Sequence, residues 1–179
     1  MLAVPPIDDH DHTEGPRDAQ LVLVEYADFE CPYCVKAYPE LEKLRAKYRG
    51  QLLFVYRHVP RSSSDGFTKQ AAEASEAAAA QGKFWEMHRE LYLHTAEHSL
   101  AQLVGVAERI GLDVPRFERE LREHTYAGRV KELAVRALRN GVVGVPTLVL
   151  DGIHIEEPPT FEAFDRILSA RLSAHGGRA

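Results

Sequence analysis

Cysteine is scarce in this chain: Cys31 and Cys34 are the only two in 179 residues. That scarcity excludes a disulfide-stapled scaffold, which relies on several bridges in place of a large core. At most one bridge can form within the chain, and closing so small a loop adds little stability. The pair therefore reads as reactive rather than structural. A zinc site usually takes a second Cys-x-x-Cys pair or added histidines at set spacing, so no metal and no cofactor is expected. Basic charge is also in short supply. A formal net charge of −5 argues against nucleic acid or an anionic membrane as partner, since both call for clustered Lys and Arg. Long apolar runs are missing as well. The most apolar window, Gly141 to Leu150, is too short to cross a bilayer and holds Gly144 and Pro146. Met1 to Gly15 has no Lys or Arg and no apolar stretch of signal-peptide length. These absences predict a soluble, cytoplasmic chain without membrane insertion, or an extracytoplasmic one if a leader has been removed.

What is present centres on Phe29-Glu30-Cys31-Pro32-Tyr33-Cys34. Leu21 to Tyr26 before it is apolar on both faces, as expected of a strand covered by helices. Val35 to Tyr48 after it carries Val35, Tyr38, Leu41, Leu44 and Tyr48 at helical spacing, with Pro39 in the interior and Gly50 as the stop. The pair thus sits at a strand-to-helix junction. Cys31 falls at the helix N-terminus, where unpaired N–H groups and the positive end of the dipole stabilise a thiolate. Cys34 falls one turn inside and is expected to be the less exposed of the two. An outer thiolate that attacks and an inner thiol that resolves describe thiol–disulfide exchange. Glu25 interrupts the apolar strand six positions before Cys31. A carboxylate buried there would have a raised pKa and could accept the Cys34 proton; a strand-edge Glu reaching water is the alternative.

At this length one domain with a proper core is expected. Residues 1–19 form a polar lead-in, in which Asp8-Asp9-His10-Asp11-His12 is read as a solvated acidic terminus rather than a metal site. Gln51 to Arg57 is a second strand, completing a βαβ unit with parallel pairing. Residues 67–140 are almost continuously helical, with four or five helices, and read as a subdomain inserted between core segments 20–66 and 141–175. Thr147 to Leu150 and Ile153 to Ile155 are strands joined by the Asp151-Gly152 hairpin turn, and Thr160 caps a final amphipathic helix. His94 and His98 (with Glu97 between) have helical spacing but are expected to be exposed surface residues.

Taken in order, these pieces resemble the thioredoxin superfamily, and within it the DsbA-like branch. The shared features are strand, Cys-Pro-Tyr-Cys and helix; Glu25 six positions before Cys31; Pro39 five after Cys34; and Gly144-Val145-Pro146-Thr147 leading into the hairpin and last helix. The resemblance covers residues 13 to 172. It implies an α/β thioredoxin-like fold with a large helical insertion, and a cis Val145–Pro146 peptide facing the cysteines. It also implies that Pro32, Tyr33, Val145 and Pro146 bind an extended substrate segment by strand addition. Arg57-His58-Val59-Pro60 resembles a loop that follows the second strand in this branch; His58 is expected to be a surface loop residue, with modulation of the thiolate charge as the alternative. The implied activity is a protein disulfide oxidoreductase acting on protein thiols and disulfides with an unidentified electron partner. Cys31, Cys34 and Glu25 are its catalytic candidates. The alternative is a peptide-binding or chaperone module of the same fold with little catalysis.

Overall fold

The computed structural model describes residues 2–60, 67–94 and 98–176. Its centre is a five-stranded mixed sheet in the order β1-β3-β2-β4-β5. The strands are β1 (His12–Glu14), β2 (Leu21–Ala27), β3 (Leu52–His58), β4 (Thr147–Leu150) and β5 (Ile153–Ile155). β2 and β3 run parallel, joined across helix α1 (Pro32–Lys47), as a strand–helix–strand crossover requires. β1, β4 and β5 are each antiparallel to their neighbours.

Alternation along the strands feeds two cores. Leu21, Leu23 and Ala27 of β2, with Phe54 and Tyr56 of β3 and Leu148 and Leu150 of β4, face the larger core, which includes α1. Val24 and Tyr26, with Leu53, Val55 and Val149, face the other, covered by Ala137, Val142 and the apolar residues Leu2, Val4 and Ile7. A period of two places Glu25 on the same face as Leu23 and Ala27, toward α1. Burial on both sides explains why these strands are near-continuous apolar runs.

Between β3 and β4 lie α2 (Phe67–Ala79), α3 (Phe84–Leu93), α4 (Leu100–Arg109), α5 (Val114–Arg122) and α6 (Ala127–Arg139). Ala71, Ala74, Ala77 and Ala78 of α2 are buried, and their small side chains let the helix approach the larger core closely. Met87, Leu91, Leu103, Val106, Phe117 and Leu121 extend that core through α3, α4 and α5. Residues 61–66, at the boundary expected between core and insertion, lie outside the described residues. The hairpin turn has Asp151 at φ 49° and Gly152 at φ 81°, the left-handed pair a two-residue turn demands. α7 (Phe161–Gly176) closes the fold, with Thr160 Oγ1 accepting from the Ala163 N–H.

Three expectations are corrected. The lead-in is not a solvated terminus: His12 to Glu14 pair with Tyr56 to Phe54 as edge strand β1. Asp11 also makes a two-pronged, buried ion pair with Arg57, at 2.8 and 2.7 Å. His58 is not a surface loop residue; it ends β3 and is 1% exposed. His98 is buried rather than exposed, because its ring fits between Glu30 and the Leu91 carbonyl.

Candidate active site at the cysteine pair

The turn leading into α1 is built by Asp28. Its carbonyl accepts from the Cys31 N–H at 3.1 Å, and its Oδ1 accepts from the Glu30 N–H at 3.0 Å. That turn delivers Cys31 to the N-cap position in extended geometry. Pro32 follows at the first helical position, where its missing N–H removes no helical bond. The Cys31 carbonyl then accepts from Val35 N–H at 2.9 Å, and no side chain caps the helix.

Both cysteines are buried, Cys31 at 3% exposure and Cys34 at 0%. The expected contrast in exposure is therefore slight, because the loop carrying Val145 covers the Cys31 side chain. The contrast in surroundings is larger. The Cys31 thiol donates to the Val145 carbonyl at 3.5 Å. Its chain neighbours Pro32 and Tyr33 are exposed, Tyr33 at 69%. Cys34 faces inward, and the two thiols are close enough to hydrogen-bond to one another. Burial pushes the Cys34 thiol far above its ordinary range, and the negative charge of Glu25 pushes in the same direction.

Glu25 is 2% exposed and sits opposite Leu148 on one side and Tyr56 on the other. Removal from water raises its pKa to about 8, with a smaller push from the Glu42 carboxylate. The rings of Tyr56 and Tyr92 close this inner compartment; burial raises both phenols, and the Glu25 charge adds to each. Val145 and Pro146 are joined by a cis peptide and are half-buried. Val145, Pro146 and Tyr33 line one groove of ≈ 1060 Å³, which continues over Leu148, Ile155 and Pro158. The structure thus brings Cys31, Cys34, Glu25, Pro32, Tyr33, Val145 and Pro146 into one region.

Two neighbours were not legible in the sequence. Tyr56 joins the site only through the strand register, and His98 only because its Nδ1 meets Glu30 Oε1 at 3.0 Å across 68 residues. His94 stays exposed and does not join His98 at a common point, and Glu97 lies outside the described residues. Among the described residues no helix is long and apolar enough to cross a membrane.

A sheet with a parallel central pair, a cysteine pair at the tip of the crossover helix and a proline loop facing it define a DsbA-like thioredoxin fold. A family model described as Thioredoxin matches residues 8–170, and the chain belongs to that family. Oxidised BdbD from Bacillus subtilis shares the fold over 96% of this chain and 98% of its own, with a TM-score of 0.86 at 18% identity. Alpha-DsbA1 from Wolbachia pipientis matches over 94% of each chain, with a TM-score of 0.82 at 16% identity. In sequence, the chain is 42% identical over 182 aligned positions to the Na(+)/H(+) antiporter NhaA 3 of Salinispora tropica, covering 99% of this chain and 28% of that protein. It is 39% identical to the Na(+)/H(+) antiporter NhaA 1 of Mycolicibacterium vanbaalenii, covering 90% of this chain and 27% of that protein. The chain therefore spans little more than a quarter of the length of these curated relatives.

Proposed function

We propose that the chain is a thiol–disulfide oxidoreductase that exchanges its Cys31–Cys34 pair with protein substrates through a mixed disulfide. Cys31 as thiolate attacks one sulfur of a substrate disulfide. A bond forms between Cys31 and that sulfur, and the other substrate sulfur leaves as thiolate. The Cys34 thiol then gives its proton to Glu25, directly or through a water, and attacks the Cys31 sulfur. The second substrate thiolate departs. The substrate gains two electrons and the Cys31–Cys34 pair becomes a disulfide; the reverse sequence oxidises a substrate dithiol. The observation that carries this reading is the inner compartment. A thiol held protonated by burial needs a proton acceptor beside it, and Glu25 is a buried carboxyl whose pKa of about 8 leaves a minor ionised fraction near neutral pH. That fraction is a stronger base than an ordinary carboxylate, so the transfer should speed up as pH rises toward about 8. The groove past Tyr33, Val145 and Pro146 offers room for an extended segment beside the nucleophile. The direction of electron flow follows from the potential of the pair relative to its electron partner.

The test is trapping. Cys34→Ser should accumulate mixed disulfides that dithiothreitol releases, and Cys31→Ser should form none. If Cys34→Ser retained full turnover in an insulin-reduction assay, the resolving role would be wrong. If neither variant altered ligand capture, the peptide-binding alternative would stand.

A second reading rests on the antiporter-named relatives. In it the substrate thiols belong to an ion-transporting polypeptide, and the cysteine pair sets that polypeptide's redox state. The same Cys34→Ser trap separates the two: one dominant membrane-protein adduct supports the second reading, and a broad set of adducts supports the first.

A further inference from the structure

We propose that His12, His58 and Glu76 form a binding site for one divalent transition-metal ion of the zinc class, separate from the cysteine pair. His12 Nε2 lies 2.9 Å from Glu76 Oε1, and His58 Nε2 lies 3.3 Å from the same oxygen. The three candidate ligand atoms all lie within 4.8 Å of one another. An ion about 2.0–2.1 Å from its nitrogen and oxygen ligands in tetrahedral geometry spaces them roughly 3.3 Å apart. Only small movements would therefore bring these atoms around one ion. Two imidazoles and one carboxylate suit zinc, cobalt or nickel better than calcium or magnesium, which favour all-oxygen shells.

The ligands come from three different elements: His12 from edge strand β1, His58 from the end of β3, and Glu76 from α2. Packing holds each in place. The His12 ring stacks on Phe84, with centroids 3.5 Å apart and planes 5° apart. The His58 ring is wedged among Phe29, Tyr56 and Phe84. Ser75 Oγ also lies 3.3 Å from His58 Nε2. Glu76 is fixed by Arg129, whose Nε donates to Oε2 at 2.6 Å and leaves Oε1 turned toward the imidazoles. Carboxylates that ligate a metal are commonly held by a second hydrogen bond of this kind.

The Arg129 charge lowers affinity for a cation, but it is not the only charge at the opening. Asp9 and Asp11 line the same ≈ 340 Å³ recess as His12 and Glu76, although Asp11 is engaged by Arg57. The recess gives an ion a way in and leaves room for water at a fourth position, as in sites with three protein ligands. No spacing rule reveals the set, because the three ligands are scattered across strand, strand and helix.

The test uses the full chain with Cys31→Ser and Cys34→Ser, so that thiolates cannot supply ligands. Zinc is titrated by calorimetry and cobalt by its visible absorption, after treatment with a chelator. One ion per chain is expected. His12→Asn and Glu76→Gln should each weaken binding by about 100-fold or more, since even outer-shell changes cost about 10- to 100-fold. His94→Asn, at an exposed histidine remote from the cluster, should leave affinity unchanged. Zinc-edge X-ray absorption on the thiol-free chain needs no further substitution and should show two imidazoles. It keeps the proposal testable if Glu76→Gln fails to fold. No binding below millimolar zinc once the thiols are removed would overturn the proposal. So would equal affinity in a folded His12→Asn variant, or an absorption spectrum without two imidazoles.

Discussion

Replacing Glu25 by glutamine should stabilise the folded protein by an amount that grows with pH. In the folded state the carboxyl is nearly inaccessible, and burial raises its pKa from 4.5 to about 8. For an acid shifted upward the sign runs against stability. Below pH 4.5 both folded and unfolded chains carry the proton, and the group contributes nothing. Between pH 4.5 and about 8 the unfolded chain releases its proton while the folded one keeps it. Folding then loses about 1.4 kcal/mol per pH unit. Above about pH 8 the penalty is complete, with a ceiling of about 5 kcal/mol for a shift from 4.5 to about 8. Glutamine keeps the shape and removes the titration, and any misfit of its amide adds only a pH-independent offset. The slope is therefore the observable. It is read by urea unfolding of the parent and of Glu25→Gln, both in a Cys31→Ser, Cys34→Ser background, from about pH 4 to about pH 9. The stability difference should rise by about 1.4 kcal/mol per unit to about pH 8 and then level off. A difference that stays flat across this window would mean that Glu25 titrates alike in both states and is not held protonated by burial.

With the protein reduced at neutral pH, iodoacetamide should modify Cys31 more than about 10-fold faster than Cys34, read by peptide mass spectrometry, because burial keeps the Cys34 thiol protonated; equal labelling would contradict this. Asp11→Ala leaves the buried Arg57 guanidinium without its carboxylate and should cost about 3–5 kcal/mol. A loss below about 1 kcal/mol in urea unfolding would mean that solvent already screens the pair. Gly15 has φ +109°, and a Cβ there would stand 2.2 Å from the Leu52 carbonyl oxygen. Gly15→Ala should therefore lower stability by about 1–3 kcal/mol or more, and an unchanged melting temperature would count against that placement.

The parts of the fold that could be read directly were those encoded over short distances. The Cys31–Cys34 spacing, the apolar strand before it and the helix after it are contiguous, so their junction is visible without a structure. The period of two along Leu21 to Ala27 tells which face Glu25 occupies once a helix is known to cover that face. Asp151-Gly152 announces its hairpin for the same local reason. What was hidden depends on pairings between distant segments. His12 to Glu14 looks like a polar tail until β3 supplies its partners, because a three-residue strand has no periodicity to display. His58 and His98 look like surface residues because nothing adjacent marks them as buried. The helices α2 and α3 enclose one, and Glu30 with Leu91 holds the other. Cys31 is covered by Val145, 114 residues away.

The most direct test of the central claim is a redox titration of the full chain in glutathione buffers, with the products resolved by mass spectrometry. A redox-active Cys31–Cys34 pair should give a two-electron transition with loss of two hydrogens, a 31–34 cross-linked peptide and a single reduction potential that disappears in Cys31→Ser. A pair that stays as two free thiols at every glutathione ratio, or that forms only separate glutathione adducts without closing on itself, would contradict the claim.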